Sequence, residues 1–110
     1  MSKKFKLKAE EIIRLLPAIG ACIATDKITV DGLRVGYMYR EDSDRNGDSG
    51  WRIFSGTETQ DYVDNPEHSA IYDLNTIANY DNAIIPYLEL SIGTEMERIP
   101  GSDKFELVNE

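Results

Sequence analysis

One segment of the sequence, Asp42-Ser43-Asp44-Arg45-Asn46-Gly47, carries the residue types and spacing of a cation-binding loop. Calcium loops place oxygen-bearing side chains at alternate positions so that they converge on one ion, and a glycine makes the sharp bend. The twelfth position of such a loop holds a glutamate that closes the coordination shell, but here it is Ile53. Asp, Asn and Gly are also common turn residues. We therefore interpret the segment as a polar hairpin loop, with cation binding as the alternative.

Other catalytic and metal-binding patterns are missing from the sequence. One cysteine, Cys22, and one histidine, His68, cannot build the four-ligand shell of a zinc site. Ser49 lacks the strand, turn and helix context of a nucleophile elbow, and neither glycine-rich phosphate-binding motif is present. The sequence thus nominates no catalytic, cofactor-binding or metal-ligating residue. It predicts a binding protein without a cofactor rather than an enzyme, although a carboxylate-based enzyme or a small-ligand domain stays open as an alternative.

The distribution of charge indicates the class of partner. The chain has 20 acidic and 12 basic residues, and its formal net charge is −8. Lys and Arg are absent from residues 53–97, where nine carboxylates occur. A negative field repels phosphate backbones and anionic membranes and attracts basic surfaces. We therefore expect a basic protein partner, and neither nucleic acid nor a membrane. A solvated surface that maintains solubility is the alternative.

Tyrosines accompany the carboxylates in this part of the sequence. Rigid aromatic side chains anchor protein interfaces, and charged neighbours steer association. Tyr37, Tyr39 and Trp51 lie on predicted strands instead, where core packing explains them. The candidate partner contacts are Asp61, Tyr62, Asp64, Glu67, Tyr72, Asp73, Tyr80 and Asp81.

The elements that must position these residues follow from hydrophobic periodicity. Ala9, Ile12, Ile13 and Leu16 recur at helical spacing, which predicts an N-terminal amphipathic helix over Lys6–Leu16. Further short helices are predicted over 57–64, with Thr57 as N-cap, and over 82–90, capped by Asp81 with Pro86 in its first turn or at a kink.

The strand pattern predicts a small, mostly antiparallel sheet of about five strands. An apolar run forms a strand at 21–25, and Leu33, Val35, Tyr37 and Tyr39 alternate as the bulky face of the next, which pairs with 51–54. Thr94–Ile99 and Lys104–Val108 flank a turn and form a terminal hairpin. Residues 71–80 are predicted as a brief strand that leads into a helix turn capped by Asp73 or Asn75. The fold class is therefore α+β.

Length and cysteine content fit one domain over residues 1–110 in a reducing cytoplasm. A chain of 110 residues is within the usual range for a single core. One cysteine cannot form an internal disulfide, and no apolar stretch approaches the roughly 20 residues that span a bilayer.

Several blocks of residues carry a resemblance to a known family. They are Asp48–Arg52, Phe54–Gly56, Asp64–Glu67 and Ile71–Asp81, with Thr25–Ile28 and Val35–Arg40 upstream. Together they resemble a bacterial domain of unknown function that is classed among the immunity proteins of polymorphic toxin systems. The resemblance spans about Gly20 to Ile99. It implies a cytoplasmic binding protein that neutralises a partner toxin, and it implies no particular functional residues or oligomeric state. Together with the acidic charge, it leads us to expect a basic toxin domain whose surface the chain blocks.

Overall fold

The computed structural model describes residues 3–108, which form an α+β fold of one six-stranded sheet and short helices. The strands are β1 (Ala21–Thr25), β2 (Tyr37–Arg40), β3 (Asp48–Phe54), β4 (Ser69–Asp73), β5 (Glu95–Arg98) and β6 (Phe105–Leu107). The α-helices are α1 (Asp26–Thr29), α2 (Gln60–Asp64) and α3 (Leu74–Tyr80), and 3-10 helices lie at Ala9–Glu11, Pro66–His68 and Asn82–Tyr87. No helix in this range has the length and apolar character of a membrane span.

The sheet has the strand order β4-β1-β3-β2-β5-β6, and every neighbouring pair is antiparallel except β1 and β3. The predicted α+β class and the mostly antiparallel sheet are confirmed. The sixth strand is β4, which corresponds to the brief strand expected before the helix turn. The terminal hairpin is present as β5 and β6.

The helices α1 and α3 cover one face of the sheet, and the core lies between them and the strands. Strand residues alternate between faces, so every second side chain enters this layer. Trp51 is fully buried there, and its indole Nε1 donates to the carbonyl of Leu88 at 2.9 Å. The buried strand residues on this face include Cys22, Ala24, Met38, Trp51, Ile53 and Met96, and they pack with Ile28, Leu74, Ile77 and Ile84.

The N-terminal helix predicted over Lys6–Leu16 is wrong, since Ala9–Glu11 forms a 3-10 turn and residues 12–20 form neither helix nor strand. The physical reason is a competing set of hydrogen bonds from α3. Asn79 and Asn75 both donate to the carbonyl of Ile13 at 2.9 Å, and Asn75 accepts from the amide of Leu16 at 3.0 Å. These side chains satisfy backbone groups that an isolated helix would have to pair internally.

The face predicted for β2 is also wrong. We expected Tyr37 and Tyr39 to pack in the core, but Met38 is fully buried and pairs with Ile53 of β3 in the sheet register. The tyrosines lie on the other face and are half-buried. Both faces of this strand carry bulky side chains, so alternation alone could not identify the inner one.

Helix boundaries follow the capping residues. Thr59, rather than the predicted Thr57, caps α2 by accepting from the amide of Tyr62 at 3.2 Å, which makes this helix shorter than predicted. Asp73 caps α3 through the amide of Asn75 at 2.9 Å, as predicted. Asp81 caps the 3-10 helix Asn82–Tyr87, which contains Pro86 and ends before the predicted position.

Candidate interaction site on the open sheet face

The side of the sheet opposite α1 and α3 is called the open face below. The strand registers place on it one side chain or more from each of the six strands. The stretch around α2 and the following 3-10 helix leans over one end of it. The residues that define the open face are Ile23, Tyr37, Tyr39, Arg52, Phe54, Ile71, Glu95, Glu97 and Glu106.

Three aromatic rings form a cluster at the centre of the open face. Tyr39 and Phe54 are stacked with centroids 5.9 Å apart, and Tyr37 lies 5.6 Å from Phe54. The hydroxyl of Tyr37 donates to Oε2 of Glu95 at 2.5 Å. Burial, and then this hydrogen bond, raise the pKa of Tyr37 to about 12. The hydroxyl is therefore a neutral donor at physiological pH, and the cluster presents partly exposed aromatic surface.

A row of glutamates borders the aromatic cluster on β5 and β6. Glu97 lies directly opposite Glu106 across the strand pair, and both are exposed. Like charges in directly opposed positions destabilise a sheet. The arrangement therefore costs the fold stability, and a cationic partner would relieve that repulsion.

An ion-pair cluster lies at the opposite side of the aromatic rings. Arg52 has a side chain only 8% exposed, and its Nε donates to Oε2 of Glu41 at 2.6 Å. Its terminal nitrogens donate to the two carboxylate oxygens of Asp48 at 3.0 and 2.8 Å. These hydrogen bonds hold the pKa of Asp48 well below its usual value, against the opposing effect of burial. The guanidinium is thus matched by two carboxylates, and the cluster keeps a net negative charge.

A cleft of about 350 Å³ separates the open face from α2 and the 3-10 helix that follows. Tyr39, Arg52 and Phe54 contribute to one wall, and Val63 and His68 contribute to the other. Its size is at the lower end of the range for ligand pockets.

The outer wall of the cleft is held by contacts of Tyr62. The ring of His68 stacks on Tyr62 with centroids 4.0 Å apart, and its Nδ1 lies 2.8 Å from the carbonyl oxygen of Tyr62. Burial, followed by the nearby carboxylates of Asp26, Asp31 and Glu58, raises the pKa of Tyr62 to about 12. At the end of the cleft, Thr25 Oγ1 donates to Glu58 at 2.5 Å.

Ser43 makes two hydrogen bonds in the loop with calcium-like spacing. Ser43 Oγ donates to Oδ2 of Asp48 at 2.7 Å, and Oγ accepts from the amide of Arg45 at 3.2 Å. Among residues 3–108, no group of three or more His, Cys, Asp or Glu side chains is arranged to hold a metal ion. Cys22 is fully buried, and burial raises the pKa of its thiol. The loop therefore gives no support to a cation site, and Cys22 gives none to a reactive thiol.

The structure divides the eight candidate contacts into two groups. Asp61, Tyr62, Asp64 and Glu67 lie together on α2 and the 3-10 helix Pro66–His68, beside the cleft. The other four are engaged within the fold. The hydroxyl of Tyr72 lies 3.3 Å from Thr29 Oγ1, that of Tyr80 accepts from the amide of Leu7 at 3.3 Å, Asp73 caps α3, and Asp81 is bonded to Val35 and Arg98.

Sequence reasoning missed the open face itself. Tyr37 and Tyr39 had been assigned to the core, and Glu41 and Arg52 were not nominated. The available signal was the arginine within an otherwise apolar strand, Trp51-Arg52-Ile53-Phe54, since a charge at such a position must be paired. Its partners lie in two different segments, Glu41 after β2 and Asp48 at the start of β3.

The comparison with known families gives one match. Residues 22–108 match the family model described as the immunity protein Imm33 domain, and the match confirms the family resemblance seen in the sequence. No curated protein matches the chain, and no solved structure does. The matched range includes all six strands of the sheet except the first residue of β1.

Proposed function

Because the chain belongs to the Imm33 family of immunity protein domains, we propose that it binds and neutralises a cognate bacterial toxin through the open face of its sheet. Membership in an immunity protein family implies a protein partner. The finer statement, that the partner is a toxin of a polymorphic toxin system and that binding occurs in the bacterial cytoplasm, is part of the proposal.

The observation that carries the proposal is the composition of the open face. Half-exposed rings of Tyr37, Tyr39 and Phe54 lie next to the exposed carboxylates of Glu97 and Glu106. Tyrosine is enriched in interface centres, where it supplies rigid contact area and a hydrogen-bonding hydroxyl. Flanking charges of one sign accelerate encounter with a surface of the opposite sign. This combination supports protein binding better than catalysis.

The mechanism that fits an acidic, aromatic face is steric and electrostatic blockade. Toxins that act on nucleic acid need basic surfaces for phosphate groups. A face with a net negative charge would cover such a surface and exclude its substrate. The aromatic cluster would be buried at the centre of the interface, and the glutamate row would lie against basic residues of the toxin.

The proposal is tested by co-expression with the toxin encoded next to this chain, scored for cell survival and for a purified complex. In the complex, Tyr37→Ala is expected to weaken binding at least about tenfold, as for an interface anchor. The matched control is Phe5→Ala, since Phe5 is an exposed ring that contacts Tyr72, whose side chain lies on the core face. Absence of both protection and complex would reject toxin neutralisation. Equal affinity of the Tyr37 variant and its control would reject the open face as the contact surface.

A further inference from the structure

We propose that the cleft between α2 and the open face receives an arginine side chain of the partner protein. The inference rests on the proposed function, because it names one contact within that interface. It concerns the part of the open face that has two walls, one on the sheet and one on α2.

The walls of the cleft fit the shape of an arginine. Tyr39 and Phe54 are stacked with an interplanar angle of only 17° and border the cleft on the sheet side, while Val63 borders it on the α2 side. A guanidinium is planar and stacks on aromatic faces, and its aliphatic stem packs against apolar walls. The cleft volume of about 350 Å³ leaves room for one long side chain rather than for a folded segment.

The charges of the cleft favour a cation in spite of the arginine already present. Arg52 is paired with both Asp48 and Glu41, so its own positive charge is more than balanced. The side chain of Glu41 is 49% exposed and uses Oε2 for Arg52. Within residues 3–108, Oε1 of Glu41 accepts no hydrogen bond, so it is open to a second guanidinium. Charge-assisted bonds of this kind are about twice as strong as neutral ones.

A cation already lies against the outer wall of the same cleft. The ammonium group of Lys27 is 5.1 Å from the centroid of the Tyr62 ring, on a helix that precedes the cleft in sequence. Its nearest carboxylate is that of Asp31 at 3.9 Å. The aromatic lining therefore accepts a positive charge from this chain, in the geometry of a cation–π contact. An arginine from a partner would make the equivalent contact on the inner wall.

The test fills the cleft and measures affinity for the toxin that the wild-type chain binds. Val63 is 39% exposed, so Val63→Trp is expected to fold normally and to occupy the space of the incoming arginine. We expect at least a tenfold loss of affinity. The matched control is Ile13→Trp, which introduces the same side chain at an exposed residue held against α3 on the other side of the sheet.

A scan of the toxin's arginines identifies the occupant. One Arg→Ala substitution in the toxin is expected to weaken binding to the wild-type chain and to cause no further loss with the Val63→Trp variant, because both changes remove the same contact. Glu41→Gln provides a second test, since the amide oxygen still accepts from Arg52 while the negative charge is removed. This substitution is expected to weaken binding to the wild-type toxin. It should leave binding to the Arg→Ala toxin unchanged.

The outcomes separate this inference from the proposed function. A wild-type chain that forms no complex with the toxin would reject the function and, with it, the occupant. A wild-type complex that tolerates Val63→Trp as well as Ile13→Trp, or one in which no toxin arginine is coupled to Val63, would overturn the arginine contact alone. Coupling to a lysine or an aromatic residue in place of an arginine would also overturn it.

Discussion

At the residue scale, the ion-pair cluster of Arg52 gives a physical role to a loop that resembles a calcium site. Glu41 follows β2 and Asp48 begins β3, and both carboxylates bind the guanidinium of Arg52. These ion pairs link the two ends of the connection between the paired residues Arg40 and Trp51. Gly50 makes the close approach possible, because its φ is +91° and a Cβ there would lie 2.0 Å from the carbonyl oxygen of Glu41. The ion pairs of Arg52 therefore hold the two ends of this connection together.

Loss of one carboxylate from this cluster is expected to destabilise the fold in a pH-dependent way. Asp48→Asn should lower the free energy of unfolding by about 3 kcal/mol near neutral pH, as for removal of one partner from a buried ion pair. The folded-state pKa of Asp48 lies below its unfolded value, so its contribution is complete above about pH 4 and is lost as pH falls through the folded-state pKa. Urea unfolding should thus show a wild-type advantage that shrinks below about pH 4.

The control for this measurement is Asp44→Asn, a substitution at an exposed residue of the same loop. It is expected to change stability by less than about 0.5 kcal/mol at any pH. If the difference between wild type and Asp48→Asn were the same in acid as at neutral pH, the carboxylate would not be stabilised by Arg52.

At the element scale, the N-terminal segment shows where local pattern and tertiary context disagree. The apolar spacing of Ile12, Ile13 and Leu16 suits a helix, and Ala21–Thr25 suits a strand. The strand was predicted correctly because its apolar run is too short for a helix and is buried between β4 and β3. The helix was not formed because asparagine side chains some sixty positions later in the chain bind the backbone of the segment, and such distant partners leave no local signature.

Asn75 is expected to be the main attachment of this segment. It is buried, and its Oδ1 accepts from the amides of Leu15 and Leu16 at 2.7 and 3.0 Å. Asn75→Ala leaves these donors without a partner, so we expect a loss of about 2 kcal/mol in the free energy of unfolding. Hydrogen exchange at the two amides should accelerate. Asn79→Ala is the matched control, and its more exposed bonds to Ile13 predict a smaller loss, below about 1 kcal/mol.

In the β5–β6 hairpin, the glutamate pair is expected to lower the stability of the fold and to strengthen binding. Glu106→Lys converts the repulsive pair with Glu97 into an attractive one, which should raise the free energy of unfolding by about 0.5 kcal/mol. The same substitution should weaken the complex with the proposed toxin partner, because it removes a carboxylate from the open face. Thermal unfolding and affinity are measured on one preparation. A variant that is more stable and binds as well as wild type would show that the glutamate row has no part in binding.

At the scale of the whole molecule, the fold was more predictable than the site. Capping by Asp73, the terminal hairpin and the α+β class follow from local residue patterns. The open face depends on which side of β2 the helices cover, and that choice is made by the packing of Met38 against Ile53 and Met96. The eight tyrosines and carboxylates nominated from the sequence are consequently divided between the edge of the cleft and positions engaged within the fold, because composition gives the charge of a segment but not the direction of its side chains.

The family blocks also have a physical explanation at this scale. Within Asp48-Ser49-Gly50-Trp51-Arg52, the aspartate and arginine form the ion pair, and the tryptophan fills the core. The glycine has a positive φ at the point where the register between β1 and β3 shifts. Ser49 Oγ donates to the carbonyl of Ala21 at 2.6 Å and ties β3 to β1. Each of these residues supports the sheet, so the block identifies the fold. Partner specificity is therefore expected in side chains outside it, such as Tyr37, Glu97 and Val63.

The placement of charge, rather than its total, is expected to govern association with the toxin. Glu97→Lys with Glu106→Lys reverses two exposed carboxylates on the open face. Glu10→Lys with Glu89→Lys changes the net charge equally at exposed positions outside the strands. Opposite charges accelerate association, and salt screens them. If the open face steers encounter, Glu97→Lys with Glu106→Lys should therefore lower the association rate about tenfold or more at low ionic strength. The same pair should make the rate less dependent on salt. The second pair should change the rate far less. Stopped-flow measurement over a salt series distinguishes the two, and equal slowing by both pairs would show that net charge alone is responsible.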